Sequence, residues 1–215
     1  MVISIIGQFA VYFLPDFPLR DAFAEEFNVD AEGNFPSLFS SFMLLSCSFF
    51  LSLIHRAKRQ TRDRHSKSWM FLSYIFFYLS LDELLSLHER VIPFFERLGA
   101  SGFFYHGWVI LALIILPLLG LFFLKLWLSL PARIRTLFFI SGAIYIGGAL
   151  GIELLNGMYA DLYGEENFFY EMLVTLEEVL EMFGLTVFIF ALLSYLRVLN
   201  VETFDINVIF SDENN

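Results

Sequence analysis

The sequence predicts an all-α, polytopic transmembrane helix bundle of five long helices plus a short N-terminal sixth. Three observations carry this. A chain of 215 residues that is 58% hydrophobic and 19% aromatic, with 28 Phe and a mean hydropathy of +0.68, holds more apolar surface than one soluble core of that size can bury. Its apolar residues fall into stretches long enough to cross ~30 Å of hydrocarbon at a helical rise of ~1.5 Å per residue. Its basic residues gather in the linkers of one side only.

The five long stretches are 36–55, 69–91, 104–128, 136–159 and 169–196. Each is several times the length of a soluble strand, which excludes a sheet. Residues 1–14 are apolar but reach only ~21 Å as a helix, short of a full span without tilt or thinning. They have neither a charged n-region nor a small-residue cleavage site, so a sixth helix is expected there and not a cleaved signal. The helical domain then covers 1–197, with an external acidic loop at 15–35 and a polar, acidic cytoplasmic tail at 198–215. No internal repeat is visible.

Charge sets the orientation. Of 13 Lys and Arg, ten (Arg56, Lys58, Arg59, Arg62, Arg64, Lys67, Lys125, Arg133, Arg135 and Arg197) fall on one side of the alternating crossings. That side is read as cytoplasmic, in a bacterial inner membrane, and both termini lie on it. Arg20, Arg90 and Arg97 share the other side with the acidic segments 16–32 and 161–171. The basic run 56–67 is a topology signal. It is short and lacks interleaved aromatics, which argues against nucleic acid as a partner. The single Cys47 excludes an intrachain disulfide. His55 and His65 belong to the basic linker and are expected to be solvated.

Asp82, Glu83 and Glu89 of the second long stretch, Glu153 of the fourth, and Glu177, Glu178 and Glu181 of the fifth lie within the apolar segments, with no Lys or Arg at comparable depth. A charged carboxylate near the bilayer centre costs about 2.5–3.5 kcal/mol on the insertion scale, so seven would cost on the order of 20 kcal/mol. Something neutralises them. The candidates are protons, favoured by burial and by like-charge neighbours, or divalent cations bound through carboxylate oxygen.

Helical spacing points to a single site. Asp82, Ser86 and Glu89 fall on one stripe, Glu177, Glu178 and Glu181 on one arc with Gly184, and Glu153 on a face with Ala149, Gly157 and Ala160. The Gly147-Gly148-Ala149-Leu150-Gly151 run invites close approach of a neighbouring helix. Measured from segment midpoints, all seven acids lie in the external half. His88 and His106 are external too; His106, beside Gly107 and Trp108, also suits an aromatic belt. Asn156, three residues from Glu153, is expected to be a hydrogen-bonding helper or an interhelical contact. No Glu-x-x-His pair of the di-iron type and no H-E-x-x-H motif occurs. A metal at this site would be an oxygen-loving one, Mn, Fe, Mg or Ca, with Zn the remaining choice.

The segments S-L-D-E-L-L-S-L-H-E-R (80–90), G-G-A-L-G-I-E (147–153) and T-L-E-E-V-L-E-M-F-G (175–184) resemble a group of uncharacterised multi-pass bacterial membrane proteins over residues 70 to 196. The resemblance implies no activity. It implies only that Asp82, Glu83, His88, Glu89, Glu153, Glu177, Glu178 and Glu181 belong to the motifs that define the group.

Three functions follow from these residues. The first is an externally accessible site for a divalent metal or protons, used for binding and extending to transport; the missing acids in the inner halves of the helices weaken conduction. The second is an integral-membrane metalloenzyme acting on a lipid or other amphiphile. The third is an assembly protein pinned by protonated acids, although buried polar pairs contribute only about 0.6 kcal/mol each. The bilayer is the one partner that all three share, with a lipid or cation as ligand.

Overall fold

The computed structural model describes residues 2–29, 31 and 33–199, apart from the side chains of Glu89 and Glu96. Its regular elements are helical, with no strand among the described residues. The N-terminal apolar stretch forms α1 (Val2–Phe13), followed by α2 (Arg20–Glu26). Gly7 lets the two pack closely, because a Cβ there would stand 3.2 Å from the Ala24 Cα. Twelve residues give α1 a length of ~18 Å.

The first long helix, α3 (Phe35–Gln60), opens with a reciprocal cap: the Asn34 side chain accepts from the Ser37 N–H, and the Ser37 hydroxyl accepts from the Asn34 N–H. It runs beyond the expected 36–55 into the basic linker. The sequence Arg-Ala-Lys-Arg-Gln is rich in helix formers, and Lys58 and Arg59 in the last turn complement the helix dipole.

Helix α4 (Ser66–Leu85) returns antiparallel along α3. Three pairs a heptad apart set the register: Ser41 with Ser80, Ser48 with Ser73, and His55 with Ser66. Seven residues make two turns, so the pairs form one seam down the hairpin. His55 is therefore not solvated as expected; its Nδ1 lies 2.8 Å from the Ser66 carbonyl oxygen.

The helix expected over 69–91 stops at Leu85. Ser86 adopts a left-handed conformation (φ +48°), and its N–H returns to the Asp82 carbonyl. A 3₁₀ turn (Glu89–Val91) and α5 (Ile92–Arg97) follow, with Pro93 in the first turn, where its missing N–H forfeits no intrahelical bond. A second 3₁₀ turn (Gly102–Phe104) leads to α6 (Trp108–Leu128), of which only Val109 and Leu126 are buried. So apolar and so uncovered a helix has the surface of one suited to lipid.

Helix α7 (Ala132–Ile146) continues through a π-helical segment (Gly147–Ile152) into α8 (Glu153–Tyr163). The last helix, α9 (Phe168–Val198), is capped by Asn167, whose side chain accepts from the Tyr170 N–H at 3.0 Å. The core lies among α3, α4, α7 and α9, around Cys47, Leu51, Ile54, Trp69, Ile134 and Leu192.

Among the described residues, four units are long and apolar enough to cross a membrane: Phe35–Gln60, Trp108–Leu128, Ala132–Tyr163 and Phe168–Val198. Their lengths and apolarity are those of a membrane protein. Helix α4 is not among them, because its serines, Lys67, Asp82 and Glu83 lower its hydropathy. Yet the seam keeps it beside α3 for ~30 Å, the rise of its 20 residues. From residue 200 onward the expected polar tail lies outside the described residues.

The two ends of the bundle differ chemically. At one, Lys58 lies 5.6 Å from the Tyr195 ring centroid, Trp69 stacks on Tyr195, and Trp127 Nε1 donates to the Arg135 carbonyl. This end gathers the basic linkers. At the other, Phe13 meets Phe168, His88 meets Trp108, and the Gly102 N–H donates to Asp161.

Candidate functional site

The π-helical segment positions the site. Its widened turn carries three glycines, and Gly148 presses on α9 so closely that a Cβ there would stand 2.8 Å from the Glu177 carbonyl oxygen and 3.2 Å from the Glu181 Cγ. Gly184 does the same from the other side, against the Tyr145 backbone at 2.7 Å. Two small residues on facing helices thus bring α7 and the π-helical segment to backbone contact with α9 around the acids.

Asn156 of α8 is fully buried and donates its amide N–H to Glu177 Oε2. Glu177 is 8% exposed and also interacts with the Glu153 carboxyl. Glu153 in turn accepts from Trp108 Nε1 at 2.8 Å. The Trp108 ring lies edge-on to His88, with centroids 5.3 Å apart, and His88 Nδ1 is 3.0 Å from Asp82 Oδ2. Glu181, one turn from Glu177, interacts with the Tyr145 hydroxyl and lies within electrostatic reach of Glu83, Glu153 and His88. Glu178 adds its charge to the field at Glu177 and Tyr145.

Residues from α4, the turn after it, α6, α7, α8 and α9 therefore form one polar network. Asp82, Glu83, His88, Glu153, Asn156, Glu177, Glu178 and Glu181 all belong to it. The helical stripe expected for Asp82, Ser86 and Glu89 does not exist, because the backbone leaves the helix at Ser86. That break is what lets His88 fold back on Asp82. The Glu89 side chain lies outside the described part of the structure. His106 packs on Gly157, its Cδ2 3.3 Å from where a Cβ would be, next in sequence to Asn156.

Neutral groups serve Glu153, Glu177 and Glu181. Indole, amide and phenol groups meet these three carboxyls, and Asp82 pairs with His88. No three His, Cys, Asp or Glu side chains among the described residues are placed to hold a metal ion. Within the site, the buried atoms Asp82 Oδ1, Asn156 Oδ1 and His106 Nε2 have no hydrogen-bond partner among the described residues. Burial without a partner is costly, so these atoms mark where the site accepts further hydrogen bonds.

Trp108 and Tyr145 are the participants that sequence reasoning missed. Trp108 read as part of an aromatic belt, and Tyr145 was not singled out. The available signal was position: Trp108 begins a long apolar helix and Tyr145 sits two residues before the glycine run.

Fold and site together define a helical membrane protein with an acidic network inside the bundle. Within that class, the chain belongs to the family described as Domain of unknown function (DUF8692), whose model matches residues 1–196. No curated protein and no solved structure matches it.

Proposed function

We propose that the chain is an integral membrane protein whose acidic network binds and exchanges protons with one face of the membrane. The Asn156–Glu177 pair carries this reading. A fully buried amide can donate its N–H to a carboxylate or, turned over, accept the O–H of a carboxylic acid through Oδ1. The same two residues thus serve both protonation states without moving the helices. The indole, amide and phenol partners of Glu153, Glu177 and Glu181 support protons further, since a bilayer penalises an uncompensated carboxylate by several kcal/mol.

Topology follows from charge. The basic end is cytoplasmic by the positive-inside rule, which makes the network external, places residue 198 on the inner side and suits a bacterial inner membrane. The acids gather in the outer half, so the network takes protons from outside and has no matching acidic row leading inward.

Infrared spectroscopy of the purified protein at neutral pH tests this directly. The expected result is a carboxylic-acid C=O band that shifts on transfer to D₂O and diminishes in Glu177→Gln and Glu181→Gln. A spectrum without that band, with a stoichiometric metal that both variants lose, overturns the proton reading in favour of a metal site.

A further inference from the structure

At the basic end, a cavity of about 510 Å³ lies between the α3–α4 linker and the end of α6, lined by Arg64, His65, Lys125, Leu128 and Ser129. We infer that this cavity is a binding site for the headgroup phosphate of an anionic phospholipid.

The charges in it are uncommitted. Asp63, the acid of the linker, is already engaged: it pairs with Lys58 at 2.9 Å and accepts the His65 backbone N–H at 2.7 Å. Arg64 turns its Nε onto His65 Nε2 at 2.9 Å, and its two terminal nitrogens make no hydrogen bond among the described residues. Lys125 has no acidic partner among the described residues either. A guanidinium and an ammonium facing one cavity without a carboxylate suit a phosphate monoanion, with Arg supplying directional donors and Lys a point charge.

The surroundings select a lipid over a soluble phosphate. Leu128 of the lining is exposed, as are Leu121 and Phe122, about one turn before Lys125 on α6, and Phe71 of α4. Phe71 meets the Phe122 ring at 5.4 Å and the Phe123 ring at 5.9 Å, forming an aromatic wall that an acyl chain can follow. A basic pocket between helices at the cytoplasmic interface is where anionic headgroups bind. Helix α6, nearly uncovered by protein, is joined to the hairpin at this point, and a headgroup held by Arg64 and Lys125 would tie the two together.

Native mass spectrometry of the detergent-purified full chain, titrated with phosphatidylglycerol or phosphatidylcholine, tests the site. Phosphatidylglycerol is expected to bind at least fivefold better. The Arg64→Gln/Lys125→Gln double variant should abolish the preference, whereas Arg133→Gln, outside the cavity, should keep it. Thermal unfolding of the same proteins shows that each variant is folded and should report a lipid-dependent stabilisation lost only in the double variant. Equal binding of the two lipids, or a preference unchanged in the double variant, overturns the inference. So does inorganic phosphate stabilising the protein as well as the lipid does.

Discussion

Ser48 and Ser73 donate their hydroxyls to each other's backbone carbonyls, both at 2.8 Å, so that α3 and α4 are joined by a symmetric pair of hydrogen bonds. Ser41 and Ser80 repeat the arrangement one heptad away, at 2.8 and 2.9 Å. Only a side chain as small as serine allows the backbones this near, and each hydroxyl satisfies itself where water is absent. Removing the hydroxyl and enlarging the side chain should therefore have different effects. Ser48→Ala loses one interhelical bond, worth about 0.6 kcal/mol in membrane helices. Ser48→Leu forces the helices apart and should cost about 1–3 kcal/mol, the range for overpacked cores. Unfolding midpoints of the two variants in one detergent test the order; a leucine variant as stable as the alanine one would show that the seam is not close-packed.

Gly147 and Gly148 are neighbours in the π-helical segment, yet only Gly148 faces α9. An added Cβ at Gly148 meets the Glu177 carbonyl oxygen at 2.8 Å and Leu180 Cβ at 3.0 Å, whereas at Gly147 it meets nothing within 4 Å. Backbone is the obstacle at Gly148, so the helices themselves must shift. Gly148→Ala should lower stability by about 1–3 kcal/mol and disturb the acidic network. Gly147→Ala should be neutral or slightly stabilising through reduced freedom of the unfolded chain. Comparing the two by thermal unfolding separates close approach from glycine content; equal losses would contradict the packing described.

Asp63 gives the basic linker its acid sensitivity. Desolvation on its own would raise this carboxyl, but the His65 backbone N–H and the Lys58 ammonium outweigh it and hold Asp63 below its ordinary value. A carboxyl depressed by folding contributes stability above its unfolded pKa and loses it as pH falls through the folded one. The contribution is present at pH 7 and fades below about pH 4. For a partly exposed pair it amounts to about 0.5 kcal/mol. Asp63→Asn should be that much less stable at pH 7 and converge on the parent protein at pH 3. A deficit that persists undiminished in acid would assign the loss to the hydrogen bond with the His65 N–H and not to charge.

Particular residues show why the helices were legible in the sequence and parts of the site were not. Long apolar runs fix where α3, α6, α7, α8 and α9 lie, since only a helix closes all of its backbone hydrogen bonds within lipid. The acids stood out because a carboxylate in an apolar run has no bland explanation as cheap as burial of a leucine. The end of α4 did not, because Leu84, Leu85, Leu87 and Val91 continue the apolar pattern and the break falls on Ser86, where neither Gly nor Pro announces it. The glycine run at 147–151 signalled close approach but not a widened turn, which depends on the helix packed against it. The serines at 41, 48, 66, 73 and 80 carried the heptad spacing in plain view, yet serine is polar enough to read as filler until its partner strip is known.

The Asn156–Glu177 pair can be dissected by a double-mutant cycle. Each residue alone is buried against the other, so truncating one strands a polar group in the bundle. Asn156→Leu leaves the Glu177 carboxyl without its amide, and Glu177→Met leaves the Asn156 amide without its acceptor; each should cost about 1–3 kcal/mol. Together the apolar pair removes both unsatisfied groups, so the double variant should recover most of the combined loss, a coupling of about 1–2 kcal/mol. Glu177→Gln, which can pair amide with amide, should be nearly as stable as the parent. Stability alone would then fail to distinguish Gln from Glu at this position, while the infrared signature of an exchangeable carboxylic acid should distinguish them clearly. If Glu177→Gln is instead as damaging as Glu177→Met, the pair requires the charged carboxylate, and a bound cation replaces the proton as its counter-charge.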